Sequence, residues 1–134
     1  MFPSRIAFLS LSLLFAGAAF AAGHFEDVYA TDSSDGDAMD TFAPTLPKIF
    51  VHAGLADISS GSKLTSDWIA VDTNGAAPPN YKIDSATIDA GAITNVATFS
   101  LSKPNAGWPL GKYRVDLSID GKPAGSVKFS IEAQ

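Results

Sequence analysis

The chain of 134 residues contains no cysteine, so no disulfide braces it. After residue 23, no segment is long and apolar enough to cross a bilayer as a helix, and none longer than a turn has a helical period. Stability must therefore come from an apolar core. A hydrophobic content of 46% is enough to build one in a single domain.

Lysine and arginine are absent between residues 22 and 40. From residue 41 onward, eight basic residues balance eight acidic ones. Nucleic acids and anionic lipids both require a basic surface, so the charge distribution predicts that neither is a partner. The acidic residues of the earlier stretch are Glu26, Asp27, Asp32, Asp35, Asp37 and Asp40.

The first twenty-one residues are predicted to be a cleavable secretory signal. One positive charge, Arg5, precedes the apolar stretch 6–20, and Ala19 and Ala21 supply the small residues that a cleavage site requires. That stretch is shorter than the roughly 20 residues of a transmembrane helix, which disfavours the alternative of an uncleaved anchor. We expect a mature chain that begins at Ala22, has no membrane span and is periplasmic or secreted.

Two regions are predicted after the signal. Residues 22–42 form a flexible acidic head, because residues 30–40 are polar and lack aromatic or β-branched apolar side chains. Residues 43–134 alternate apolar and polar positions between closely spaced turn signals, which predicts an all-β fold, an antiparallel sandwich of six or seven strands. The predicted strands include 48–53, 64–72, 81–90, 95–102 and a final hairpin that begins with 113–120.

The register of the final hairpin can be derived from its turn. Asp120-Gly121 is a strong two-residue turn signal. Simple pairing around this turn would expose Val127 to water, whereas the alternation of its strand requires Val127 to face the core. One residue must therefore be absorbed, and we predict a β-bulge at Gly125.

The run Pro109-Leu-Gly-Lys-Tyr-Arg-Val115 resembles the start of the penultimate strand of an immunoglobulin-like sandwich. About the last third of the chain is similar to small exported bacterial domains of this shape. The resemblance implies that the Tyr113 hydroxyl bonds back to nearby backbone as a tyrosine corner, and that Trp68 is the buried core tryptophan. Val115 stands where antibody domains carry a cysteine, which excludes the antibody type itself. This fold hosts many functions, so the resemblance implies no activity.

No catalytic motif is visible, and the sequence predicts that the protein is not an enzyme. His24 and His52 are far apart, and His52 is expected to be a half-exposed strand residue. The Ser-x-x-Lys spacing at Ser60 lies among turn-forming residues, and the aspartates of the acidic head do not match a calcium-binding loop. An enzyme would become credible only if the fold brought several aspartates together in a pocket.

The leading functional prediction is a non-catalytic, monomeric binding or accessory module that recognises a protein or envelope component. Trp108, in a loop, could anchor a partner. Alternatively, Trp108 folds over the open end of the sandwich and closes the core. Phe25 and Tyr29 could dock by adding a strand to an exposed edge, either of this domain or of another protein.

The alternative function is metal binding at the mature N-terminus, and no other cofactor is expected. Cleavage after Ala21 would leave Ala22, Gly23 and His24 as the first three residues. Copper as Cu(II), or nickel as Ni(II), could be bound there by the free amine, two backbone amides and the imidazole. These four nitrogen ligands suit the square-planar geometry that both ions favour. If mass spectrometry of the mature protein shows any other first residue, this motif does not exist.

Overall fold

The computed structural model describes residues 23–92 and 95–134, so the predicted signal, its cleavage site and Ala22 lie outside the described residues. None of the helical segments in these ranges could span a bilayer. A single 3₁₀ turn covers Ala90–Ala92. The strands are β1 (His24–Thr31), β2 (Thr41–Phe42), β3 (Lys48–Ala56), β4 (Lys63–Asp72), β5 (Tyr81–Asp89), β6 (Val96–Ser102), β7 (Gly111–Ile119) and β8 (Lys122–Ile131).

These strands form two sheets with the orders β1-β3-β6 and β2-β8-β7-β4-β5. All described pairings are antiparallel except that of β2, which runs parallel to β8. The predicted all-β sandwich is therefore confirmed, and the strands predicted from residue 48 onward begin and end within a few residues of the observed ones. Two further strands, β1 and β2, bring the number in the described ranges to eight.

Strand β1 corrects the prediction that residues 22–42 are a flexible head. It pairs with β3 from His24 opposite Ala56 to Thr31 opposite Phe50, and the side chains of Phe25 and Ala30 are buried. A β-bulge between Glu26 and Tyr29 shifts the register. Because of the bulge, Phe25 and Ala30 both face the core although they are an odd number of residues apart, so the period-two pattern is hidden in the sequence.

An aromatic cluster forms one end of the core between the two sheets. The ring of Phe129 stacks on Tyr113 with centroids 5.1 Å apart, and it meets Phe42 and Trp68 edge-on at 5.5 and 6.4 Å. Trp68 is only 2% exposed, as the sequence resemblance implied. Smaller side chains from both sheets complete the core, among them Ile49, Val51, Ala53, Leu64, Ala97, Val115, Leu117 and Ile131.

The final hairpin has the predicted turn and the predicted bulge. Asp120 and Gly121 both have positive φ, at 51° and 83°, as expected for the tight turn between twisted strands. Ser118 lies opposite Pro123 while Leu117 lies opposite Gly125, so Ala124 is the extra residue, one position from the predicted site. The shift brings Val127 opposite Val115, on the face that packs against the core.

Candidate functional site

Trp108 does not present its ring to solvent. The side chain is 3% exposed, it packs edge-on against Tyr113 with centroids 6.1 Å apart, and its Nε1 donates a hydrogen bond to the carbonyl of Leu46 at 2.9 Å. The prediction that Trp108 anchors a partner is therefore corrected, because a buried ring has no surface to offer. The alternative, in which it closes one end of the sandwich, agrees with its position.

Phe25 and Tyr29 dock on their own domain through β1. Phe25 belongs to the core, which corrects its prediction as a binding residue, and Tyr29 is half-buried with its ring 5.2 Å from that of His52. His52 is 6% exposed rather than half-exposed, because its neighbours on β1 and β6 cover it. Its Nδ1 lies 3.0 Å from Thr98 Oγ1, and among the described residues its Nε2 has no partner.

The metal-binding alternative at the N-terminus stays a prediction. His24 is exposed, with Nε2 3.6 Å from a carboxylate oxygen of Glu26. The backbone at Gly23 lies against Asp57 and Ile58, so a metal ion that wrapped the Gly23 amide would first have to open this contact. Within residues 23–92 and 95–134, no three acidic, histidine or cysteine side chains are placed to hold a metal ion.

The outward face of the five-stranded sheet carries a concave site that the sequence reasoning missed. We call it the basic cleft, and its volume is about 470 Å³. A volume of this size falls in the range of small-ligand sites, which is roughly 300–1,000 Å³. The cleft is lined by Asp40, Thr41, Val71, Lys112, Tyr113, Arg114, Lys128, Phe129 and Ser130.

Strand register brings the three cations of the basic cleft together. Arg114 on β7 lies directly opposite Lys128 on β8, and Lys112 lies opposite Ser130, two residues away on the same face. Like charges directly opposite each other destabilise a sheet, so packing and pairing alone do not favour this arrangement. In the ranges that the structure describes, neither Lys112 nor Lys128 forms an ion pair.

The Arg114 guanidinium is held in place by a network of side chains. Its Nε donates to both carboxylate oxygens of Asp116 at 3.1 Å, and one terminal nitrogen, Nη1, donates to Asn80 at 2.9 Å. Asp116 in turn accepts a hydrogen bond from the Ser126 hydroxyl at 3.0 Å. Within the described residues the other terminal nitrogen, Nη2, makes no hydrogen bond, so a planar donor of fixed orientation remains for a ligand.

Two aspartates lie side by side on the same outward face, next to the basic cleft. Asp67 on β4 is opposite Asp116 on β7, and both line a second concavity. Each carboxylate already has its own cation and hydroxyl: Asp67 lies 3.8 Å from Lys82 and accepts from Ser85 at 2.6 Å. The fold therefore brings two aspartates together, each already in contact with its own cation and hydroxyl, and the prediction of a non-enzyme stays a prediction.

The tyrosine corner implied by the sequence is present. The Tyr113 hydroxyl donates a hydrogen bond of 2.6 Å to the carbonyl of Pro109, four residues upstream. The tyrosine lies near the start of β7, the strand between the hairpin partner β8 and the Trp68 strand β4. This is the place that the corner has in immunoglobulin-like domains.

Comparison with known proteins shows the fold. An immunoglobulin-like protein from Pseudomonas aeruginosa superposes with a TM-score of 0.58 at 11% sequence identity, over 84% of this chain and 98% of that one. The domain has an immunoglobulin-like fold. The sensor domain of an anti-sigma factor from Pseudobacteroides cellulosolvens gives a TM-score of 0.48 at 10% identity, over 82% and 96% of the two chains. No protein-family model and no curated protein matches the sequence.

Substitution of Tyr113 by phenylalanine tests the corner. Loss of the hydrogen bond to Pro109 is expected to lower the free energy of unfolding at neutral pH by about 1 kcal/mol. Burial raises the pKa of Tyr113 from 10.0 to about 12. Between those values the folded protein keeps a proton that the unfolded chain loses, so this contribution to stability is complete below about pH 10 and is lost as the pH rises toward 12.

The measurement is urea unfolding of both proteins from about pH 8 to about pH 11. The wild type is expected to lose up to about 1.4 kcal/mol per pH unit above pH 10 that Tyr113→Phe keeps. The other tyrosines are present in both proteins and cancel. A stability difference that stayed constant across the whole range would contradict the buried, protonated hydroxyl.

Proposed function

We propose that this chain is a non-catalytic module, exported to the periplasm or beyond, that binds a protein or envelope component through the basic cleft. The observation that carries the proposal is the pair of lysines, Lys112 and Lys128, beside an oriented arginine on the open face of a sheet. Export rests on the predicted signal at residues 1–21.

Purely structural roles account poorly for these cations. Arg114 and Lys128 carry like charges directly opposite each other in the β7–β8 pair, and among the described residues only Arg114 of the two forms an ion pair, with Asp116. Removal of the Lys128 charge would relieve its repulsion with Arg114 and would break no ion pair among the described residues. A ligand of opposite charge would supply the partner that Lys112 and Lys128 lack among the described residues.

Two aromatic side chains that could have anchored a partner are buried, so the proposed recognition uses polar groups. Trp108 and Phe25, the large side chains proposed from the sequence as anchors, are in the core. Recognition through the outward face of the five-stranded sheet would rely on charge and hydroxyl groups, supplied by Thr41 and Ser130 around the cations. The contact would then resemble the polar, charge-complementary kind of interface more than a hydrophobic one.

The proposal is tested by site-specific photo-crosslinking in cells. A photoreactive residue at Ser130, in the cleft, is compared with one at Thr87, an exposed residue of β5 on the same sheet. We expect a crosslinked product from Ser130 only. The product should disappear in Lys112→Gln/Lys128→Gln and persist in Lys48→Gln/Lys122→Gln, which removes two exposed lysines outside the cleft.

Two results would count against the cleft as the binding surface. One is the same crosslinked product from Thr87, which would show that contact is not confined to the cleft. The other is full crosslinking at Ser130 after both cleft lysines are neutralised, because the ligand would then not depend on their charge. Circular dichroism of each variant checks that the sandwich is intact.

A further inference from the structure

We infer that the ligand of the basic cleft is an extended polypeptide segment that carries acidic residues at alternate positions. The inference rests on the proposed function and adds the chemical class of the partner. Three features of the cleft lead to it: the spacing of the lysines, the path of the chain's own backbone at Asp40 and Thr41 along the rim, and the number of cations that lack a partner among the described residues.

The spacing of the cations matches that of an extended peptide. Lys112 and Lys128 are diagonal neighbours across the β7–β8 pair, on the same face. Diagonal positions of this kind lie about 7–8 Å apart. In an extended peptide, side chains at alternate positions point the same way and are about 6.6–6.8 Å apart. Two carboxylates at positions i and i+2 would thus each reach one ammonium group, with the Arg114 guanidinium beside them.

The chain itself shows that extended backbone can run along this rim next to a carboxylate. Asp40 accepts a hydrogen bond on its backbone carbonyl from the Ser130 amide at 2.9 Å, and Thr41 pairs with Ser130 in parallel register. The Asp40 residue lines the cleft. Extended backbone that carries a carboxylate is therefore already accommodated at one side of the cleft, which favours a polypeptide over a compact anion such as inorganic phosphate.

Two cations of the cleft, Lys112 and Lys128, are available to bind carboxylates of a ligand. Arg114 is neutralised by Asp116, and Asp40 lies at the rim. Lys112 and Lys128 remain exposed and unpaired within the described residues. Both of these ammonium groups are solvated, so each contact with a carboxylate is weak and salt-sensitive. We expect modest affinity that falls as the ionic strength rises.

The test is a titration of the isotopically labelled mature protein, followed by amide chemical shifts. The probe is the blocked peptide Thr-Asp-Thr-Asp-Thr-Asp, and its controls are the asparagine version and a peptide with the same composition and adjacent aspartates. We expect saturable shifts at Lys112, Arg114 and Lys128 with the first peptide. Binding should be at least tenfold weaker for the asparagine peptide and for Lys112→Gln/Lys128→Gln, and unchanged for Lys48→Gln/Lys122→Gln.

Inorganic phosphate and polygalacturonate, a polymer of acidic sugars, are titrated in parallel. Stronger cleft-specific binding of either one than of the alternating peptide would overturn the polypeptide class. Equal binding of the two aspartate peptides would overturn the alternate spacing. If no peptide binds but the lysine-dependent crosslink at Ser130 persists in cells, this inference fails while the proposed function stands. Loss of that crosslink as well would remove both.

Discussion

Replacement of Trp108 by alanine is expected to lower the free energy of unfolding by about 3–5 kcal/mol, the usual effect of truncating a buried tryptophan. The indole is 3% exposed and lies edge-on against Tyr113. It also lines a small apolar cavity of about 150 Å³ with Ala70, Thr73, Ala77, Tyr81, Ile83, Pro104, Pro109 and Tyr113. The truncated side chain would enlarge this cavity, and the adjacent prolines restrict how far the loop can move to fill it.

The destabilisation has two parts, the loss of ring packing and the loss of the hydrogen bond to Leu46, and a second variant separates them. Trp108→Phe keeps an aromatic ring but leaves the Leu46 carbonyl without its donor, so we expect a smaller loss of about 1–3 kcal/mol. Urea unfolding at neutral pH measures both variants, and the phenylalanine variant remains informative if the alanine variant does not fold. An alanine variant as stable as the wild type that lost only partner binding would restore Trp108 as a surface anchor.

The strands from residue 48 onward could be predicted because several of them, such as β6 and β7, alternate core-facing and solvent-facing residues. Strand β5 is exposed along most of its length, and its limits followed from the turn-forming residues on either side. Even the bulge in the final hairpin followed from this alternation, since Val127 had to face inward. Strand β1 was not predicted, because the period-two pattern is interrupted within it. The bulge between Glu26 and Tyr29 reverses the alternation in mid-strand, and the acidic residues around it suggested a disordered segment.

The basic cleft was not predicted because its cations are separated along the chain and become neighbours only when β7 and β8 pair. Basic and acidic residues balance from residue 41 onward, and no run of lysines stands out. The corrected hairpin register nevertheless contained the necessary signal, since it pairs Arg114 with Lys128 on the polar face. Asp40 and Thr41 could not have been placed at the rim, because the parallel pairing of β2 with β8 has no local sequence signature.

The exposure of His52 also depends on strand pairing that the sequence does not reveal. Alternation correctly placed its side chain on the outward face of β3, opposite that of Val51. Its exposure depended on the neighbours that pairing would supply, namely Tyr29 from β1 and Thr98 from β6. With β1 assigned to a flexible head, the ring that covers His52 could not be anticipated.

Gly111→Ala is expected to destabilise the domain by about 2–4 kcal/mol, because it combines backbone strain with a steric clash. Gly111 begins β7 with φ of 146°, a conformation that residues with a side chain rarely adopt. A Cβ at this position would collide with the carbonyl oxygen of Asp72 and would lie 2.7 Å from the Cα of Thr73. These are backbone atoms at the end of β4, so no side chain can rotate away to make room.

The matched control is Gly61→Ala, since a Cβ at Gly61 would meet nothing within 4 Å. We expect that variant to change stability by no more than about 1 kcal/mol. Gly111 also precedes Lys112, which lies opposite Asp72, and Tyr113, whose hydroxyl closes the corner. Chemical shifts of folded Gly111→Ala should therefore change at Lys112 and across the basic cleft as well as at the corner. Stability and shifts equal to those of Gly61→Ala would show that the close contact between β4 and β7 does not fix the position of these residues.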